Sequence, residues 1–155
     1  MVTLQLANRE HAPLIARLSR DRIEQGLGWS WTAPRVLRSI RDRETNAVVA
    51  LDGDLMLGFG IMKYRDDEAH LLLLAVRADH ERRGVGRAML QWLEASARVA
   101  GIGQVQLEAR ASNAAARAFY RLQGYREIQA VAGYYQGREA CVRLAKDLQE
   151  TALPR

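Results

Sequence analysis

The hydrophobic pattern is most informative at residues 71–100. Leu71 to Val76 form a nearly unbroken apolar run, short enough for a strand that is buried on both faces. A turn containing Gly84 and Gly86 comes next. After it, apolar residues recur at the three- and four-residue spacings of an amphipathic helix, at Met89, Leu90, Leu93, Ala97 and Ala100. The pattern therefore predicts a buried strand, a glycine-rich turn and a helix, in that order.

The residues before this segment predict two helices and three strands. Residues 2–6 alternate apolar and polar positions, as a half-buried strand does. Amphipathic spacing then predicts one helix around residues 14–23 and a second from an N-cap at Thr32 to Ile40. Two further strands, at 47–51 and 55–64, are joined by an Asp-Gly sequence that is typical of a hairpin.

The residues after it predict three strands and one helix. A strand at 105–109 precedes a helix that Ser112-Asn113 caps and Gly124 ends. The last two strands are predicted at 125–131 and 139–144, with a loop that contains Tyr134, Tyr135, Gln136 and Gly137. Strands and helices in this order predict an α+β or α/β sandwich around one central sheet, and 155 residues without a linker predict a single domain, 1–155.

The turn between the buried strand and the helix has the properties of an anion site. The first N–H groups of a helix have no internal acceptor, and the helix dipole adds partial positive charge there. Glycines let a phosphate approach the backbone, and the neighbouring arginines 82, 83 and 87 add cationic donors. The alternative is a tight turn with solvated arginines. A dinucleotide fingerprint is excluded because position 89 is Met, and no Gly-Lys-Ser/Thr loop is present.

Composition limits the partners and the compartment. A net charge of +5 suits an anionic partner, which could be a nucleotide-bearing cofactor, a nucleic acid or a ribosomal surface. Because there is neither a signal-like N-terminus nor an apolar run of about 20 residues, we expect a cytoplasmic protein without a membrane segment. The single cysteine, Cys141, agrees with a reducing compartment and is expected in the core. His11, His70 and His80 lack metal-ligand spacing, so they are interpreted as surface or turn residues and no metal is expected.

A second group of polar residues follows the central helix. Alternation in the predicted strand places Gln106, Glu108 and Arg110 on one face. Helical spacing places Asn113, Ala116 and Tyr120 on one stripe of the next helix. In isolation Glu108 is better explained as an ordinary solvated strand acid, but a fold could bring its carboxylate and the Tyr120 phenol to one cleft.

Two segments resemble the GNAT N-acetyltransferases. The sequence Glu81-Arg82-Arg83-Gly84-Val85-Gly86 resembles their acetyl-CoA signature, Gln/Arg-x-x-Gly-x-Gly/Ala. It departs at Glu81, where an ionised carboxylate cannot donate a hydrogen bond. LEARASNAAARAFYRLQGY, residues 107–125, resembles the GNAT segment Asn-x-x-Ala-x-x-Phe/Leu-Tyr-x-x-x-Gly-Phe/Tyr with its preceding strand.

Within that superfamily the chain is most similar to the bacterial ribosomal-protein alanine N-acetyltransferases. The sequence around Glu108 has their form Leu-Glu-Val-Arg-x-Ser-Asn, and Tyr134-Tyr135 followed by residues 137–140 is similar to their C-terminal signature. The Trp29-Ser30 pair is similar to their substrate-side loop, although tryptophans in such a loop also often close the edge of a core. The loop after Tyr135 looks shorter than is usual in the family. The resemblance covers residues 29 to 145.

The resemblance implies a fold, a cofactor and roles for particular residues. The expected fold is a mixed, mostly antiparallel sheet of about seven strands with about four helices. Acetyl-CoA would be the acetyl donor and a primary amine the acceptor, with Glu108 as the base for the amine and Tyr120 as the proton donor to the leaving thiolate. The residues implied for the coenzyme are Leu74, Ala75, Val76, Arg82, Arg83, Gly84, Val85, Gly86, Arg87 and Asn113, and those implied for the acceptor are Trp29, Tyr134 and Tyr135.

Several alternatives remain open from the sequence. The acceptor could be a protein N-terminal α-amine, for example on a ribosomal protein, or a small amine such as a polyamine. A basic nucleic-acid-binding module is a different class, but no aromatic-flanked basic motif supports it. A non-catalytic acyl-CoA sensor would keep the phosphate site without turnover. Both a monomer and a homodimer agree with the sequence.

Overall fold

The computed structural model describes residues 1–148. Seven strands form one sheet, and four α-helices cover its faces within this range. The strands are β1 (Val2–Leu6), β2 (Thr45–Asp52), β3 (Leu55–Arg65), β4 (Glu68–Val76), β5 (Gln104–Arg110), β6 (Arg126–Tyr135) and β7 (Glu139–Asp147). The helices are α1 (Ala12–Arg22), α2 (Ala33–Arg41), α3 (Val85–Val99) and α4 (Ala114–Leu122), and short 3-10 turns span Arg9–His11 and Ala78–His80.

The sheet has the order β1-β2-β3-β4-β5-β7-β6, and every neighbouring pair is antiparallel except β4 and β5. This confirms the predicted mixed, mostly antiparallel sheet. One local prediction was wrong. Tyr134 and Tyr135 belong to β6 and not to a loop, because β6 continues along β7 after an irregularity and pairs Tyr135 with Glu139. Only residues 136–138 form the turn.

The parallel pair β4–β5 separates partway along its length. Pairing runs from Glu68 opposite Gln104 to Leu71 opposite Leu107, and no pairing follows beyond that point in the described sheet. The register of β4 against β3 shifts at the same place, so that Leu72 has no partner and forms a bulge. Because a bulge bends the strand that carries it, the carboxyl end of β4 diverges from β5 and a wedge opens between them.

Each face of the sheet has its own hydrophobic core. On one face α3 buries the predicted stripe of Met89, Leu90, Leu93 and Ala97, although Ala100 at the end of the helix is exposed. On the other face, α1 and α2 contribute Ile15 and Val36 to a core around Phe59. Both cores meet at β4: Ala69 and Leu71 belong to the first, and Leu73 and Ala75, after the bulge, belong to the second. The wedge is therefore held between two rigid layers. No helix in residues 1–148 has both the length and the apolar character to span a bilayer.

Candidate active site

A cavity of about 490 Å³ occupies the wedge between β4 and β5. Its walls come from five parts of the chain. They are residues 70–74 of β4, 107–110 of β5, Asn113, Ala116 and Tyr120 at α4, several residues between 22 and 35, and residues 134–136. Residues far apart in the sequence thus share one cleft because the bulge keeps the two strands apart.

Glu108 lies in this cavity with two cationic or potentially cationic partners. Its carboxylate accepts a hydrogen bond from Arg143 Nε at 2.8 Å and contacts His70 Nε2 at 2.6 Å. The side chain is only 9% exposed. Burial by itself would raise the pKa of Glu108, but hydrogen bonds and charges from His70 and then Arg143 outweigh it and hold that pKa below its ordinary value. Glu108 is therefore ionised at neutral pH.

The sequence interpretation of His70 as a surface or turn residue was incomplete. His70 is 41% exposed, but it lies within β4 and not in a turn, and it contacts Glu108 from across the wedge. Its register partner is Gln106, which stands two positions before Glu108 on β5. Only the parallel pairing of β4 with β5 reveals this proximity. His11 and His80 do lie in the two 3-10 turns, as expected.

Tyr120 lines the same cavity from α4. The residue is 8% exposed, and burial raises the pKa of its phenol well above the ordinary value, so the hydroxyl keeps its proton. Its ring packs edge-on against Phe119 and Tyr125, with centroids 5.1 and 5.7 Å away. Within residues 1–148 the hydroxyl forms no hydrogen bond, so its proton is available to a bound molecule. The structure therefore brings Glu108 and Tyr120 to one cleft.

The head of α3 has a glycine cap, little side-chain bulk and three exposed arginines close by. Gly84, with φ of +84°, caps the helix in the left-handed conformation that glycine adopts at little cost, and a side chain at Gly86 would approach Val76 and Phe119 at about 3.5 Å. Val85 is buried and anchors the turn to the core. The predicted arginines of the turn, Arg82, Arg83 and Arg87, are exposed and have no ion-pair partner in the described chain.

The remaining predicted coenzyme residues border the wedge. Leu74 lines the cavity, and Ala75 and Val76 complete β4 beyond its last pairing with β5, so that this edge of the strand has no neighbouring strand among residues 1–148. Asn113 caps α4, where its side-chain oxygen accepts a hydrogen bond from the Ala116 amide at 3.0 Å. Its side-chain NH2 donates to no group in residues 1–148, and Asn113 is one of the residues that line the cavity.

The three predicted acceptor residues divide into two groups. Tyr134 and Tyr135 line the cavity and pack edge-on with ring centroids 4.9 Å apart. Trp29 does not line it. Its ring lies under Arg20, and its indole N–H donates to the Trp31 carbonyl. Trp31 faces the cavity instead, with the Arg35 guanidinium 3.9 Å above its ring.

Two residues that the sequence reasoning missed hold the acceptor side in place. Buried Glu24 accepts hydrogen bonds from the Ser30 amide, at 2.7 Å, and from the Ser30 and Ser19 hydroxyls. The Gln136 side chain bonds both the N–H and the C=O of Gly28, at 2.8 and 3.0 Å. The Gln136 contacts tie the segment between α1 and α2 to the β6–β7 turn, and the Glu24 contacts hold that segment together internally. Glu24, Ser30 and Gln136 all line the cavity.

Residues 1–148 contain no cluster of metal ligands and no thiol that lines the cavity. No group of three His, Cys, Asp or Glu side chains there is placed to hold a metal ion. Cys141 is fully buried in β7 and does not line the cavity, and burial raises the pKa of its thiol.

The fold and the motifs identify the class of protein. The sequence model of the acetyltransferase (GNAT) family matches residues 13–125. The chain belongs to this family. It is an acyltransferase, and acetyl-CoA is its acetyl donor.

Two relatives and one solved structure are similar to the chain over most of its length. The [ribosomal protein bS18]-alanine N-acetyltransferase of Salmonella typhimurium is 36% identical over 118 residues, covering 74% of this chain and 79% of the relative. The protein of the same name from Escherichia coli strain K12 is 35% identical over the same shares. The crystal structure of the Escherichia coli ribosomal-protein-S18-alanine N-acetyltransferase superposes with a TM-score of 0.83 at 27% identity, covering 100% of this chain and 99% of the other.

Proposed function

We propose that this chain acetylates the N-terminal α-amine of a protein, and specifically an alanine amine on a small ribosomal protein. The proposal rests on one observation. Glu108 and Tyr120 line the same cavity, at the end of β4 that no longer pairs with β5. The similarity to the two bS18-alanine N-acetyltransferases supports this choice of acceptor. The lone buried cysteine supports the cytoplasm as the place of the reaction.

Binding of the donor would use the backbone more than the side chains. The amides at the start of α3 and the three unpaired arginines of the turn would bind the diphosphate. The unpaired edge of β4 at residues 74–76 would offer N–H and C=O groups to the amides of the pantetheine arm, in the way that one strand bonds another. The Asn113 NH2 would add a donor from α4.

The reaction moves two protons. When bound, acetyl-CoA supplies a thioester carbon to which the neutral acceptor nitrogen can bond while the carbon–sulfur bond breaks. The amine must lose a proton, and Glu108, which lines the cavity, would accept it directly or through a water. The departing sulfur must gain a proton, and the Tyr120 hydroxyl, which keeps its proton and lines the same cavity, would donate it.

His70 is proposed as the next proton carrier after Glu108. Since Arg143 and His70 lower the pKa of Glu108, this carboxylate does not hold a proton for long at neutral pH. His70 is 2.6 Å away and 41% exposed, so it connects the buried carboxylate to solvent. A proton taken from the amine would leave through the His70 ring.

An acceptor panel tests the proposed function. The protein would be incubated with acetyl-CoA and a ribosomal-type peptide that begins with alanine, the same peptide with a blocked N-terminus, or spermidine. Thiol release gives the rate, and mass spectrometry locates the acetyl group. We expect turnover with the free peptide and none with the blocked one. Turnover with spermidine alone would replace the proposal by small-amine acetylation.

A further inference from the structure

An ion pair connects the end of α1 to the start of the coenzyme turn. Arg22, the last residue of α1, bonds the Glu81 carboxylate through Nη2. Glu81 is the first residue of the Glu81–Gly86 sequence, where GNAT proteins are expected to carry Gln or Arg, both of which donate hydrogen bonds. The pair therefore brings a strong donor to the position where the sequence itself has only an acceptor.

The Arg22 guanidinium is not satisfied by Glu81 alone. Its Nε is buried and has no hydrogen-bond partner in residues 1–148, although a buried N–H normally has one. The side chain is 30% exposed, and the residue lines the cavity of the wedge. Nη2 holds the Glu81 carboxylate, and the exposed part of the guanidinium has further N–H donors that can bind a second anion.

The charges of the turn require such a partner. An unpaired Glu81 would repel a diphosphate bound at the head of α3, because like charges at short distance oppose binding. Arg22 neutralises this charge, whereas the pair leaves Arg82, Arg83 and Arg87 unpaired in the described chain. The positive potential of the turn is thereby preserved.

We infer that Arg22 is a coenzyme-binding residue, which donates to the diphosphate from α1 in place of the donor that position 81 lacks, and that Glu81 orients it. The inference rests on the proposed diphosphate site at α3. In the family pattern the side chain at position 81 is itself the hydrogen-bond donor. Here Glu81 is an acceptor that orients Arg22, and Arg22 on α1 supplies the donor.

Calorimetric titration of the substrate-free protein tests this inference. The ligands are CoA, 3′-phospho-ADP, which contains the diphosphate, and pantetheine, which lacks it. The Arg22→Gln variant should bind CoA and 3′-phospho-ADP about tenfold more weakly, because it loses a charge-assisted donor and leaves Glu81 unpaired beside the ligand. Its affinity for pantetheine should match that of the wild type.

The double variant Arg22→Gln/Glu81→Gln separates orientation from folding. It removes both charges and places at position 81 the side chain expected for the family, so its CoA affinity should return to within about threefold of the wild type. Arg17→Gln is the matched control, because it removes an exposed arginine from the same helix, and its CoA affinity should not change. Circular dichroism would verify that each variant folds.

Two outcomes would overturn the inference. Unchanged CoA affinity in Arg22→Gln would show that Arg22 and Glu81 form an ordinary surface ion pair that takes no part in coenzyme binding. Equal losses for CoA and pantetheine would mean that Arg22 shapes the cavity and does not bind the diphosphate. If the wild type itself does not bind CoA, the proposed coenzyme site at α3 is wrong, and this inference is wrong with it.

Discussion

His70 Nε2 lies 2.6 Å from Glu108 Oε1 and joins β4 to β5 just where their backbone pairing ends. The contact places the imidazole ring between a buried carboxylate and solvent, and together with the Arg143 guanidinium it lowers the pKa of Glu108 although that side chain is nearly enclosed. It also distinguishes this histidine from His11 and His80, which lie in turns.

Replacing His70 should slow the chemistry and spare coenzyme binding. We expect His70→Gln to lower kcat by about ten- to a hundredfold, because a glutamine cannot pass a proton to solvent. CoA affinity should stay the same, since the head of α3 is a separate part of the site. Steady-state kinetics with calorimetry measure both. His80→Gln is the control, and a loss of rate equal to that of His70→Gln would contradict the relay.

Replacing Glu108 should change the pH dependence of turnover. Glu108→Gln removes the group that accepts the proton of the amine, so the rate should fall most at neutral pH and recover in part in alkali, where an α-amine with a reference pKa near 8 is already neutral. The measurement is kcat/KM against pH for both proteins. An unchanged profile would exclude Glu108 as the base.

The same carboxylate should contribute to stability at neutral pH. Its pKa is lower in the fold than the ordinary 4.5, so the stabilisation is complete above 4.5 and is lost as pH falls through the lowered value. We therefore expect the free energy of unfolding to fall less steeply below pH 5 in Glu108→Gln than in the wild type. Urea titrations at several pH values would measure this. Glu68→Gln is the control, because Glu68 is exposed and has no ion pair within residues 1–148, and its slope should equal that of the wild type.

Removing the Tyr120 hydroxyl should affect rate and not stability. The hydroxyl forms no hydrogen bond within residues 1–148, so Tyr120→Phe loses no internal contact and keeps the ring packing. Turnover should fall by about a hundredfold or more through loss of the proton donor, with CoA affinity within about twofold. Thermal unfolding should occur at the wild-type temperature. Full activity in this variant would show that the thiolate leaves without help from Tyr120.

Removing the neighbouring Tyr125 hydroxyl should have the opposite result. Tyr125 donates to buried Glu94 at 2.7 Å, and Lys146 is the other partner of that carboxylate at 3.1 Å. Tyr125→Phe leaves one Glu94 oxygen without this donor, so the free energy of unfolding should fall by about 1–3 kcal/mol. The rate of the remaining folded enzyme should not change. A rate loss as large as that of Tyr120→Phe would mean that the buried pair also positions Tyr120.

Much of the architecture follows from local sequence. The three- and four-residue spacing of Met89, Leu90 and Leu93 fixes the buried face of α3, because a helix places those positions on one side. Strict alternation in β5 places Glu108 opposite the buried face of its strand for the same geometric reason. Asn113 caps α4 as predicted, since its side chain needs only an amide three residues ahead.

The tertiary structure alone decided which of these elements meet. His70 and Glu108 are 38 positions apart in the sequence and meet because β4 and β5 pair in parallel. Arg22 and Glu81 are 59 positions apart and meet at the end of α1. Tyr134 and Tyr135 are in a strand because β6 finds a partner in β7. Hydrophobic periodicity shows which side chains of a segment face the core, but it does not show which other segment packs against them. Strand register and helix docking depend on contacts distant in sequence, so the chain by itself determined the chemical groups and the fold determined their neighbours.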